Sequence, residues 1–249
     1  MVVRLSLILC LVVFAFSCKK AEDRICFKSI GKEKSIETIV DSYDTLRLYD
    51  DIKYQLIPDT IFKVEVIGGE NLIKHIDVQH ANNTLTVENN NKCNFLRRLD
   101  ERVTVKIYTS DLNYIQYEGS EELKSTDTLY SSVLRLNIRD GAGDVDLTVL
   151  NGYTSAVVSH GFGGFRISGQ TLNAFLNCNT NSTCDARSLK VSQELNVNSN
   201  TQGDMYVNAT GTDSFVGVTN QQGNIYYLGI PDLTEFKNYH TGEIINLNN

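Results

Sequence analysis

Asp144, Asp146, Asp185, Asp204 and Glu243 recur at matching places of a repeated pattern in the second half of the chain. Carboxylates placed so regularly suit two kinds of chemistry. Oxygen-bearing side chains on consecutive repeats can share a calcium ion, and Asp204, Asn224 and Glu243 form such a run. Two carboxylates about 6.5 to 9.5 Å apart can carry inverting glycoside hydrolysis. A repeated acidic ladder meets that distance whatever its role, so spacing assigns no catalytic pair, and Asp and Asn are also the residues that tight turns prefer. The chain has neither the dense acidic nonapeptides of calcium-binding β-rolls, nor an EF-hand loop, nor a G-x-S-x-G elbow. His160 and His240 occupy similar turns four repeats apart, about 19 Å at about 4.8 Å per repeat, too far to share a metal. The reading is of a protein without catalytic residues, not an enzyme, with no cofactor beyond a candidate calcium site at Asp204, Asn224 and Glu243.

The next outward position of each repeat reads Asp146, Arg166, Asp185, Tyr206 and Tyr226. Opposite charges on adjacent repeats pair across strands for about 0.2 to 1 kcal/mol each. Tyr206 and Tyr226 are expected to stack. Together with Arg166 and Asp185 they form the candidate ligand face, suited to sugar rings or a protein partner; the same tyrosines also serve as ordinary strand residues that shield the ladder.

The elements that hold these residues are legible from spacing. A unit of turn, small residue, polar, apolar, polar, apolar returns with its first apolar position at Val145, Phe165, Cys184, Met205, Ile225 and Ile244. Leu123 is an earlier, looser copy. A period near twenty with alternation inside each unit marks a β-solenoid, in which each unit is one coil. Leu147, Ile167, Ala186, Val207 and Tyr227 follow on the same inward face, and a second inward strand is expected at Ile138, Val158, Cys178, Val197 and Val218. The intervening Gly, Asn, Asp and Ser are expected to supply positive-φ bends. Residues 36–110 alternate like strands without the twenty-residue beat, and the pattern predicts seven: Ile36–Val40, Thr45–Leu48, Lys53–Ile57, Phe62–Ile67, Ile76–His80, Thr84–Glu88 and Val103–Tyr108. A helical turn is expected near Glu70 and a hairpin at Asn82-Asn83. The division is then an N-terminal β subdomain and cap at 36–110, followed by coils at 111–249.

The beginning of the chain carries one positive charge, Arg4, and an uncharged apolar run from Leu5 to Phe16, too short to span a bilayer. Ala15-Phe16-Ser17-Cys18 resembles the lipobox of bacterial lipoproteins. The resemblance implies removal of residues 1–17 as a signal peptide, acylation of Cys18, and a charged tether over 18–35. The membrane partner would be reached through that lipid. Loss of Arg4 takes the net charge from −7 to −8, which repels phosphate and argues against nucleic acid. Beyond Cys10 and Cys18 the cysteines are Cys26, Cys93, Cys178 and Cys184, an even number that allows two bridges in an oxidising compartment. Cys178 and Cys184 face each other across one coil, either bridged or as buried thiols; Cys26 with Cys93 would staple the leader to the first subdomain.

Four stretches carry a resemblance to a known family: Leu46 to Tyr54, Phe62 to Leu72, Gly141-Ala142-Gly143-Asp144-Val145, and Gly223 to Pro231. Over about residues 40–249 the chain resembles the family called "putative autotransporter adhesin, head GIN domain". The resemblance implies an all-β, right-handed parallel β-helix in an exported Bacteroidota lipoprotein of the outer membrane, on its periplasmic side or at the cell surface. It implies an adhesin-like or structural role and supplies no catalytic residues. A carbohydrate-binding or polysaccharide-active β-helix using calcium is the other expectation kept open.

Overall fold

The computed structural model describes residues 29–92, 94 and 102–248. The first part of the chain folds as β1 (Glu33–Ile39), β2 (Thr45–Asp50), β3 (Lys53–Pro58), β4 (Lys63–Gly69), the single helical turn α1 (Glu70–Ile73), β5 (Ile76–Ala81), β6 (Thr84–Asn89) and β7 (Thr104–Thr109). All seven expected strands are present. Asn82 and Asn83 both take positive φ, 51° and 61°, at the β5–β6 hairpin, the bend a tight antiparallel connection requires. The remainder comprises β8 (Tyr114–Gly119), β9 (Leu123–Ser125), β10 (Leu129–Ile138), β11 (Val145–Val158), β12 (Phe165–Thr180), β13 (Cys184–Ala186), β14 (Leu189–Thr201), β15 (Met205–Asn208), β16 (Ser214–Thr219), β17 (Ile225–Leu228), β18 (Leu233–Asn238) and β19 (Ile244–Asn246). Parallel pairing stacks these into a β-solenoid of about seven turns.

The coils start before residue 111. β2 pairs in parallel with β6 and β8, and β3 with β7 and β9. The coil formed by β2 and β3 therefore lies between a later coil (β6, β7) and the next one (β8, β9), hydrogen-bonded on both sides. Beyond β6 and β7 the solenoid ends in antiparallel strands, β5 on β6 and then β4 on β7 with β1 outside it. β1 begins at Glu33, inside the stretch expected to be tether.

The inward ladder matches the repeat: Leu123, Val145, Phe165, Cys184, Met205, Ile225 and Ile244 are consecutive rungs. All but Ile244 are buried, and each such aliphatic or aromatic side chain stabilises by about 1.5 to 3 kcal/mol relative to exposure. The second inward ladder departs from expectation. It runs Ile138, Val158, Cys178, Ser199 and Thr219, because the register shifts between Thr171 and Asn173 where β14 carries an extra residue. One added residue flips every later side chain to the other face. Val197 is buried as expected, though opposite Leu176; Val218 points outward, and the rungs beyond Cys178 become hydroxyls: Ser199 Oγ donates to the Gly223 carbonyl at 3.1 Å and Thr219 Oγ1 to that of Gly242 at 2.9 Å. Those bonds satisfy turn carbonyls that burial would otherwise leave unpaired.

Cys178 and Cys184 are free and buried, not bridged. Each is one rung of a different ladder, Cys178 between Val158 and Ser199, Cys184 between Phe165 and Met205. They serve as small hydrophobes. Burial pushes the Cys178 thiol up to about 12 and raises that of Cys184 as well, so the reactive thiolate is scarce. In residues 19–249 carrying Cys26→Ser and Cys93→Ser, an aromatic disulfide reagent is expected to label neither thiol in buffer and both in denaturant. Rapid labelling in buffer would refute the buried-rung placement. Cys18, Cys26 and Cys93 lie outside the described residues.

Candidate functional site

The outward ladder on the strands β11, β12, β13, β15 and β17 is set by register. Asp146 pairs with Arg166, Arg166 with Asp185, Asp185 with Tyr206, and Tyr206 with Tyr226, with Lys124 before and Ile245 after. The four residues of the expected ligand face are thus brought together. Arg166 Nη1 donates to Asp146 Oδ2 at 3.0 Å. Arg187, which the repeat pattern did not single out, forks onto Asp185 with Nε to Oδ1 at 2.9 Å and Nη2 to Oδ2 at 2.7 Å. Its guanidinium also sits 5.0 Å from the Tyr206 ring centre. Hydrogen bonding to Arg187 holds the Asp185 carboxyl below the usual carboxylate range. The signal for Arg187 was the acid–x–base spacing of Asp185 and Arg187 at the end of a strand.

Tyr206 and Tyr226 stack with ring centres 5.0 Å apart and planes 13° from parallel. The stack occupies one face of each ring. One face of Tyr206 lies on Tyr226 and the other under Arg187, so Tyr206 presents its edge and hydroxyl to solvent. At Tyr206 this arrangement fits the shielding role of a strand residue.

Beside the ladder runs an open groove of about 480 Å³. Glu122, Asp144, Asp146, Asp185 and Asp204 line it against only Arg166 and Arg187, with Tyr206 at one end. The groove is therefore net acidic. Its two aspartates nearest the turns are fixed by the coil beneath: Asp144 Oδ1 accepts from the Gly164 N–H at 3.1 Å and Asp204 Oδ1 from that of Asn224 at 3.0 Å. Asn224 continues the series, its Oδ1 accepting from the Glu243 N–H at 2.9 Å and its Nδ2 donating to the Tyr226 hydroxyl at 3.0 Å. The candidate calcium run at Asp204, Asn224 and Glu243 thus spends an oxygen of each of the first two on the backbone. Among the described residues no group of three or more His, Cys, Asp or Glu side chains is placed to hold a metal.

Asp185 is unsuited to be the general acid of a glycoside hydrolase. A general acid needs a raised pKa, whereas Asp185 is lowered by its bound arginine.

A family model described as "Putative auto-transporter adhesin, head GIN domain" matches residues 42–231. Among solved structures, a putative adhesin from Bacteroides fragilis is similar with a TM-score of 0.78 at 21% identity, covering 87% of this chain and 97% of that one. A putative adhesin from Parabacteroides distasonis gives 0.65 at 19% identity, covering 87% and 98%. A putative lipid binding protein from the same organism gives 0.63 at 16%, covering 87% and 97%. No curated protein matches significantly. At these identities the structural likeness speaks for the fold.

Proposed function

Because the chain belongs to the family described as "putative auto-transporter adhesin, head GIN domain", we propose that it is a non-catalytic envelope protein that binds a partner through the acidic groove along its outward ladder. Acylation of Cys18 anchors it in this reading, each buried CH₂ of the lipid contributing about 0.8 kcal/mol. The observation that carries the binding role is the groove's construction. Carboxylates and arginines stand on neighbouring coils in fixed register, with Asp144 and Asp204 further locked by backbone donors. Such a surface is ordered before a ligand arrives, so little entropy is lost on binding. With five carboxylates against two guanidiniums, it favours a protein partner bearing lysine or arginine over a neutral sugar.

The test is a binding array of matrix proteins, host glycans and bacterial polysaccharides probed with residues 19–249, with and without calcium. Saturable binding to a basic protein is expected, weakening as salt rises. Asp144→Asn with Asp204→Asn keeps the oxygen acceptors and removes two charges; it should weaken binding by about tenfold and flatten the salt dependence. Calcium-dependent binding to a neutral glycan, indifferent to that double substitution, would overturn the reading.

A further inference from the structure

The two ends of the solenoid are finished differently. At the N-terminal end β1, β4 and β5 cover the coil with antiparallel strands. Among the described residues β18 and β19 form the last coil at the other end, β18 pairing with β16 and β19 with β17. Both strands lie beyond residue 231, where the family match stops. Every residue of β18 is exposed, and Leu233 and Tyr239 at its ends are 68% and 69% exposed. Phe236 rests edge-on against Phe215 at 5.1 Å and tilted against Tyr227 at 5.7 Å, so the apolar core runs up to this ring and stops there, half covered.

The free edge has a defined polarity. The Leu233 N–H bonds back to the Asp213 carbonyl and the Tyr239 N–H to that of Thr219, so by strand alternation the N–H and C=O groups of Thr234, Phe236 and Asn238 face away from β16. We infer that this edge joins a second copy of the chain, β18 running antiparallel to β18 about a two-fold axis at Phe236. In that register the edge-facing residues meet as hydrogen-bonded pairs, Phe236 with Phe236 and Thr234 with Asn238. Glu235 falls opposite Lys237 of the second copy, and Lys237 opposite its Glu235. Leu233 falls opposite Tyr239.

The two charges select this arrangement. Within one chain Glu235 and Lys237 pair at 2.6 Å on an exposed surface, where the bond is worth little. Centring the axis on residue 235 or 237 sets like charges against each other, as does in-register parallel stacking, and like charges directly opposite are destabilising. Charged edge strands usually discourage pairing; a Glu-x-Lys step disfavours the registers centred on 235 and 237 and favours the one centred on 236, where opposite charges meet. A two-fold contact uses the same edge on both copies, so association closes at a dimer and does not propagate as a filament. The surface lies apart from the acidic groove, so this inference stands independently of the binding role.

Residues 19–249 hold every described element and suit sedimentation equilibrium over a wide concentration range. A monomer–dimer equilibrium is expected. Lys237→Glu or Glu235→Lys alone should weaken it by about tenfold or more, and the two together should restore it. Thr234→Pro, which removes a donor from the free edge and none from the β16 pairing, should leave a folded monomer by circular dichroism. A monomer at all concentrations, growth beyond a dimer, or a dimer indifferent to these changes would overturn the proposal.

Discussion

Gly143→Ala should cost about 4 kcal/mol or more, a large share of a typical domain's 5 to 15 kcal/mol. A methyl group at this position would fall on the Glu121 carbonyl oxygen and the Tyr117 hydroxyl, far inside any tolerated contact. Neither neighbour can retreat cheaply. The Tyr117 hydroxyl donates to that same carbonyl, and the next carbonyl, of Glu122, accepts from the Tyr54 N–H at 2.9 Å. Tyr117 is itself fully buried. The control is Gly211→Ala. Gly211 has φ +70° with nothing within 4 Å of an added methyl, so only the left-handed backbone is penalised, by about 1 to 2 kcal/mol. Urea unfolding of the two variants should show Gly211→Ala with a modestly lowered midpoint and Gly143→Ala with little or no cooperative transition. Equal midpoints would mean that the coil contact at Gly143 relaxes freely, and the account of the glycine repeat would be wrong.

That comparison also bears on what the sequence could reveal. The glycines at 143, 163, 203, 223 and 242 are visible as a repeat, and the expected reason was positive φ. The structure gives another: an added methyl at each would strike a backbone carbonyl of the preceding coil. Positive φ belongs elsewhere, for instance at Gly169, φ +104°, where β12 bends beneath Val149. Spacing reports that a small residue is needed and is silent on which of two reasons applies. The first inward ladder was legible from Leu123 to Ile244 because no bulge interrupts it. The second was legible rung by rung as far as Cys178, and Val197 beyond it does face inward, but its rung and the facing of Val218 were not legible, because an extra residue changes parity and spacing near twenty tolerates either parity. The coil of β2 and β3 was legible as strands and not as a coil, since its partners on β8 and β9 are 69 residues away and β7 intervenes on its other side. The outward ladder of the site was readable from alternation alone. Arg187 was not, because it stands at the turn after Ala186 and acts by reaching back.

Arg102→Leu is the second change expected to be severe, at about 3 to 5 kcal/mol, the range for breaking a buried ion pair from one side. Arg102 stands just before β7, and its side chain is 13% exposed. It pairs with Asp51 through Nη1 and with Glu121 through Nε at 3.2 Å; these carboxylates are 18% and 15% exposed. Asp51 lies in the bend between β2 and β3, and Glu121 in the bend between β8 and β9. One guanidinium therefore ties the interposed coil to the coils on both sides, which parallel pairing alone would leave joined only through the strands. Asp51 Oδ1 is further held by Asn89 Nδ2 at 2.7 Å and Asn94 Nδ2 at 3.1 Å. Leucine in place of Arg102 fills similar volume and leaves two neighbouring carboxylates largely out of water without a counter-charge. If that imbalance is the cause, adding Asp51→Asn and Glu121→Gln to Arg102→Leu should recover most of the loss, since a buried ionic group exchanged whole for neutral residues is close to neutral in stability. Urea midpoints at unchanged slope would measure it. A triple variant as unstable as the single one would place the role of Arg102 in packing of its stem and not in charge.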